Sequence, residues 1–432
     1  MACSDEVCKG VGLPENEGIN QTERAGIPDV EQEQLGLLNL MCLTMLDDDE
    51  AEEGGATLGK MVDKSRARVL PKQHTPQSGL TIRSLSHYLC LCLTDEISPH
   101  WHLHPKQFES SINLLLIPWP DQIQPSQFRG KDLPGADIPA LVEAYGLFEY
   151  DARVANNSEA GEKTERIYAA AKQVVDRIDG IVFPELALTP EEYTNVRDTV
   201  RGFAGPLLIA GVGSNSANGP ANRVNLDLPF LNKQHLELNQ SKHHRWKLER
   251  SQIVQYGLGS ALHPSRSWWE NIDLTDRRLQ FIAMHPWLVL SVLICEDLAR
   301  PDPVGDLIRS VGPNLVISLL MDGPQMEQRW PGRYATVLAD DPGCSVLSFT
   351  SRGMARLSRP PKIAPSPNMI ALWKDPISGS PIQIEMPEKA SAVLLTLTRQ
   401  LVEEWTADGR SDHRSGAYPV LTGVHPIYLK QD

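Results

Sequence analysis

The chain has 432 residues, 41% of them hydrophobic and 22% charged, and a formal net charge of −14. That balance belongs to a globular protein and excludes a disordered or fibrous one. The acidic excess argues against general nucleic-acid binding, which needs a basic footprint. The strongest local exception is the cluster Lys242, His243, His244, Arg245, Lys247 and Arg250.

No apolar run approaches the roughly 18–20 residues that span a bilayer. The polar, acidic start MACSDEVCKGVGLPENEG lacks the basic and apolar regions of a secretory signal. The expected location is therefore the cytoplasm, with no membrane partner and nucleic acid disfavoured. The seven cysteines, at 3, 8, 42, 90, 92, 295 and 344, suit that compartment: their number is odd and their spacing is not that of a zinc site. Cys90 and Cys92 share one face of a strand, but no second pair follows, so no metal and no cofactor is expected.

In chain order, the first 26 or so residues read as a loosely packed lead. Leu35, Leu38, Met41, Cys42, Met45 and Leu46 then recur at helical spacing and predict an amphipathic helix. It runs into the acidic stretch Asp47 to Glu53, read as a solvated loop. SLSHYLCLCL predicts one short strand or helix before residue 107. No motif occurs in residues 1–107, which are read as an N-terminal extension and a candidate surface for a protein partner or for oligomerisation.

From residue 108 the pattern changes to that of an α/β domain running to 432. SSINLLLIPWP predicts a buried strand, and a long Pro-rich loop follows. Ile167, Ala170, Ala171, Val174, Val175 and Ile178 make one apolar helical face. GIVFPELAL predicts a buried strand, and TPEEYTNVRDTV a helix with Thr189 as N-cap and Pro190 at its first position. GPLLIAGVG predicts a strand, and NRVNLDLPF with QHLELNQSKHH a strand pair. WLVLSVLIC, PNLVISLLM and CSVLSFTS predict further strands, alternating with helices over VGDLIRSVG and GRYATVLADDPG. The paired strands in the middle point to a layered sandwich rather than a plain doubly wound sheet. Trp268, Trp269 and Trp330 read as core or pocket walls.

Three strand ends carry chemistry. Glu185 follows IVFP, Lys242 closes HLELNQSK and Cys295 closes LVLSVLI. In α/β domains functional residues gather outside the carboxyl ends of strands. A cysteine nucleophile needs a base, because an unperturbed thiol is only a few per cent thiolate at neutral pH. Glu185, partly buried, is suited to that role. The cation of Lys242, with the backbone N–H of Glu296, could stabilise the charge that builds when the thiol attacks a carbonyl. Lys247, five positions after Lys242, is an alternative. His243 and His244 are adjacent on a strand and point to opposite faces, which disfavours a joint metal site.

GIVFPELAL, NQSKHH and LICEDLARPDP, in that order, resemble the Glu, Lys and Cys motifs of the nitrilase (carbon–nitrogen hydrolase) superfamily. PNLVISLLMDGPQMEQRWPGRYATVLADD is similar to the stretch that follows the family's cysteine. The resemblance covers about residues 108–400. It implies a nitrilase-like α-β-β-α sandwich carrying an N-terminal extension, and hydrolysis of a small amide, or less readily a nitrile, through a cysteine thioester. It assigns Glu185 as general base, Lys242 as transition-state stabiliser and Cys295 as nucleophile. The family's second glutamate, shortly after the lysine, maps onto Glu249, and Glu296 follows the nucleophile. C-E-D in place of C-Y-D looks most like the glutaminase branch and hints at a primary amide. The resemblance also implies a homo-oligomer. Acyl transfer, or a binding protein with a vestigial pocket, remain the alternatives.

Overall fold

The computed structural model describes residues 68–429 apart from 74–82, 86–88, 95, 104–108, 134–142, 153–158, 204, 217–218, 230–233, 286, 359–367 and 403–415. The amphipathic helix expected over residues 35–46 lies outside the described residues. No described helix is long and apolar enough to cross a membrane.

Two seven-stranded mixed sheets form the body. The first runs, edge to edge, through His235–Ser241, Gly219–Pro229, Leu207–Ser216, Gly180–Leu188, Ser111–Leu116, Ala392–Val402 and Gly416–Ile427. The second runs through Ile382–Glu385, Met369–Lys374, Ser345–Thr350, Leu315–Leu320, Leu288–Ile294, Arg278–His285 and Ser98–Leu103. Successive side chains on a strand point to opposite faces. So Leu114, Val182, Ile209 and Leu395 of the first sheet meet Leu290, Val292, Ile317 and Phe349 of the second in one shared core. The alternate residues face outward. Leu115, Ile181, Phe183 and Leu208 pack under the helices Glu159–Ala171 and Pro190–Arg201. Phe281, Leu293, Val316 and Val346 pack under Asp306–Val311 and Trp330–Asp340. The architecture is the four-layer α-β-β-α sandwich that the motifs imply. Runs such as LVLSVLI are apolar throughout because both faces of the sheet are covered.

Two sequence expectations shift. Ser98–Leu103 pairs parallel with Arg278–His285, so the second sheet takes its edge strand from the segment assigned to the extension and begins before residue 108. The first helix ends at Ala171, short of Ile178. The β-branched pair Val174–Val175 favours leaving the helix, and the turn still buries Ile178. The second helix starts as expected: the Thr189 side chain accepts from the Glu192 N–H, Glu192 reciprocates, and Pro190 occupies the first turn.

A smaller four-stranded sheet, Lys247–Leu248, Ser267–Glu270, Tyr145–Tyr150 and Phe128–Lys131, stands beside the sandwich. Its own core joins Phe148, Trp246, Leu248, Tyr256 and Trp268 to Met321 of the body. Trp268 is therefore core, as the sequence suggests. This sheet supplies a carboxylate to the site described next.

Candidate functional site

The strand Gly180–Leu188 does not run straight. Its ladder with Leu207–Ser216 is broken between Phe183 and Leu188, where Pro184 has no N–H to donate. Within the break Leu186 adopts a left-handed conformation, φ 50°. Opposite lies Gly211, where a Cβ would fall 2.1 Å from the Pro184 carbonyl oxygen and 2.6 Å from the Glu185 Cα. Only glycine lets the two backbones approach this closely. The bulge thus aims the Glu185 side chain into the interior, where the residue is 3% exposed.

Lys242 follows the edge strand His235–Ser241 and is fully buried. Its ammonium donates to Glu185 Oε1 at 2.8 Å and to Glu270 Oε2 at 2.7 Å. Asn222 ties the same carboxylates together, its amide donating to Glu185 Oε1 at 2.7 Å and to Glu270 Oε1 at 2.8 Å. The Trp246 N–H completes Glu270 at 3.0 Å. The second oxygen of Glu185, Oε2, has no hydrogen-bond partner among the described residues.

Cys295 is the first residue past Leu288–Ile294 and opens the 3-10 turn Cys295–Ala299. Its φ is 48°, a left-handed conformation that a non-glycine residue rarely holds. Strain of this kind costs on the order of 1–3 kcal/mol and persists only where the surroundings impose it. The two described non-glycine residues with positive φ are Leu186 and Cys295, each at or beside a sequence-predicted site residue. Burial pushes the Cys295 thiol well up, Glu185 pushes it further, and Lys242 and the Met321 backbone pull it down. The resting thiol is therefore protonated and needs a base. Burial also raises the Glu185 carboxyl, against the opposing pull of Lys242. Burial alone would lower the Lys242 ammonium, but Glu185 and Glu270 overcome it and hold it well up. The lysine is a permanent cation.

The turn is held by Asp297. Its Oδ1 and Oδ2 accept from the His243 N–H at 3.1 and 3.2 Å, and His243 Nδ1 and His244 Nδ1 lie 3.2 and 2.9 Å away. The two histidines thus serve one carboxylate that locks the residues after Lys242 to those after Cys295. Burial alone would raise the Asp297 carboxyl, but the facing His243 and His244 hold it far below the usual carboxylate range. A depressed folded-state pKa stabilises the fold above the unfolded value of about 3.9, and that stability is lost as pH falls below it. Asp297→Asn is expected to cost about 1–3 kcal/mol at pH 7. Urea unfolding across pH should show the gap between parent and variant closing below about pH 4.

Cys295 and Glu296 line a cavity of about 300 Å³ with Trp246, Met321, Asp322 and Trp330. Glu296 pairs with Arg300 at 3.3 Å. Trp330 is the pocket wall that the sequence suggests.

The structure pairs Glu185 with Lys242 and sets Cys295 within electrostatic reach of both, with Glu296 on the cavity wall. It does not bring Glu249 to them. That side chain is 57% exposed and pairs with Lys247. The same pairing places Lys247, the alternative lysine, at the surface, stacked over Trp269. The glutamate in the cluster is Glu270, at the end of Ser267–Glu270. An offset from the lysine cannot find it, because strand pairing delivers it from the small sheet. A carboxylate closing the apolar strand WWE was the available signal, the same one that singles out Glu185. Asn222 carried none.

No family model and no curated protein matches the sequence. Among solved structures the chain is similar to a glutamine-dependent NAD+ synthetase from Acinetobacter baumannii, with TM-score 0.40 and 12% identity over 74% of this chain. The match spans about half (49%) of that protein. It is similar to a carbon–nitrogen hydrolase from Helicobacter pylori G27, with TM-score 0.37 and 10% identity over 64% of this chain and 86% of the other. It is also similar to Nit3 of Saccharomyces cerevisiae, a member of branch 10 of the nitrilase superfamily, with TM-score 0.39 and 11% identity over 67% and 90% of the two chains.

Proposed function

We propose that the protein is a carbon–nitrogen hydrolase that cleaves a small amide through a thioester on Cys295. The observation that carries this reading is the buried Glu185–Lys242–Glu270 cluster beside a strained cysteine on a cavity wall. Glu185 takes the thiol proton as sulfur attacks the amide carbon. Lys242 and the backbone N–H of Glu296 offset the charge on the carbonyl oxygen. The C–N bond then breaks, and the amine leaves with the proton returned by Glu185. Water, deprotonated by the same carboxylate, attacks the thioester and frees the acid and the thiol. Glu270 and Asn222 hold Lys242 and Glu185 in register throughout.

The test is ammonia release from a panel of primary amides, glutamine included, with acid formation measured in parallel. Equal yields of ammonia and free acid are expected. Ammonia without free acid, when an amine acceptor is present, would turn the reading to acyl transfer. No ammonia from any amide, together with a Cys295 inert to iodoacetamide at neutral pH, would leave a binding protein.

A further inference from the structure

The cavity wall contains a second carboxylate that the reaction above does not use. Asp322 is 4% exposed and lines the cavity. Its Oδ1 accepts from Arg329 Nη2 at 2.6 Å and from the Tyr256 hydroxyl. Its own carbonyl oxygen accepts from Thr350 Oγ1 at 2.6 Å. Burial and the facing Asp322 hold the Tyr256 phenol well up, so it stays a donor. Backbone and side chain are thus clamped, yet Oδ2 has no partner among the described residues. Leaving an oxygen of a buried carboxylate unpaired is costly. A group held this firmly and left incomplete is suited to a ligand that completes it.

Its position relative to the thiol is short-range. Asp322 directly follows Met321, whose backbone hydrogen-bonds the Cys295 thiol, and consecutive Cα atoms are about 3.8 Å apart. A substrate amide at Cys295 therefore has its neighbouring atoms beside Asp322. Around that end Glu185, Glu270, Glu296 and Asp322 are matched by Lys242, Arg300, Arg329 and Arg333, so the formal charges balance and the unpaired acceptor of Asp322, not an excess of charge, sets the preference. Trp246 and Trp330 also line the cavity, and aromatic side chains attract cations.

Resting on the hydrolase reading, we infer that Asp322 selects the substrate: its free oxygen accepts from a cationic nitrogen a few bonds from the scissile carbonyl. Preferred substrates are then small amides that carry an ammonium group. Tyr256 and Arg329 are positioning residues that fix the carboxylate.

The experiment uses matched pairs in which CH3 replaces NH3+: glycinamide with propanamide, 3-aminopropanamide with butanamide, and 4-aminobutanamide with pentanamide. Binding is measured by calorimetry on the full chain carrying Cys295→Ala, alone and with Asp322→Asn. In at least one pair the ammonium member should bind tenfold or more tighter, and Asp322→Asn should bring that ratio below about threefold. Equal binding within every pair, binding of no member, or a preference that survives Asp322→Asn overturns the inference. In case Asp322→Asn fails to fold, alkylation of the parent Cys295 serves. 2-Bromoethylammonium should outpace iodoacetamide by tenfold or more over their ratio on free cysteine, and a ratio of one overturns the inference. The two readings fail separately. Ammonia release from neutral amides with no charge preference removes the role of Asp322 alone. Charge-selective binding without turnover removes hydrolysis alone.

Discussion

Cys295→Ala is expected to abolish ammonia release, and Glu185→Gln to lower kcat by about 10²–10⁴-fold, with both proteins folded. The two losses have different causes. Alanine removes the atom that bonds to substrate, so no covalent route remains. Glutamine preserves the shape of Glu185 but removes its basicity. Burial and Glu185 itself hold the thiol protonated; Lys242 is already charged, and Glu296, the other carboxylate acting on the sulfur, is paired with Arg300. A group that acts only in the transition state lowers kcat and kcat/KM together and leaves KM nearly unchanged. Steady-state kinetics on any amide that the parent turns over reads this directly. Parental rates from Cys295→Ala would sink the proposed mechanism. A Glu185→Gln protein with raised KM and normal kcat would make Glu185 a binding residue instead.

The second large effect concerns stability. Lys242 is a fully buried cation between two buried carboxylates. Lys242→Met leaves Glu185 and Glu270 facing each other without a counter-ion. Breaking a buried pair in this way costs about 3–5 kcal/mol. The sign with pH follows from linkage. Burial already raises the Glu185 carboxyl, and losing the lysine removes the charge that pulls it down, so the penalty is absent where Glu185 is protonated and grows as pH rises through its raised value. Denaturant unfolding should therefore find Lys242→Met much less stable than the parent at pH 7–8 and closer to it near pH 4. Adding Glu270→Gln removes one of the two charges and should return part of the loss. Full stability of Lys242→Met at pH 8 would show that the ammonium is not the counter-ion of this cluster.

Much of the site was legible in sequence because its residues sit at the ends of recognisable strands. GIVFPELAL, HLELNQSK and LVLSVLI each read as a strand by local composition, and each hands one functional side chain to the interior. Thr189 and Pro190 mark their helix start by chemistry that acts within four residues. Glu249 shows where such reading stops. It lies seven positions from the lysine in sequence, yet it caps a surface helix and pairs with Lys247. Glu270, further away in sequence, is 2.7 Å from Lys242.

The alternation of buried strands and helices, and the placing of Glu185, Lys242 and Cys295 at strand ends, could be read from the chain alone. Those depend on hydrophobic period and local backbone preference, which neighbouring residues encode. It took the folded chain to show which glutamate completes the lysine, that Asn222 bridges both carboxylates, and that Asp322 shares the cavity with Cys295 and has one oxygen unpaired. Sheet register and the packing of the small sheet against the sandwich set those contacts. They join residues tens of positions apart, where no local pattern distinguishes the partner from its neighbours.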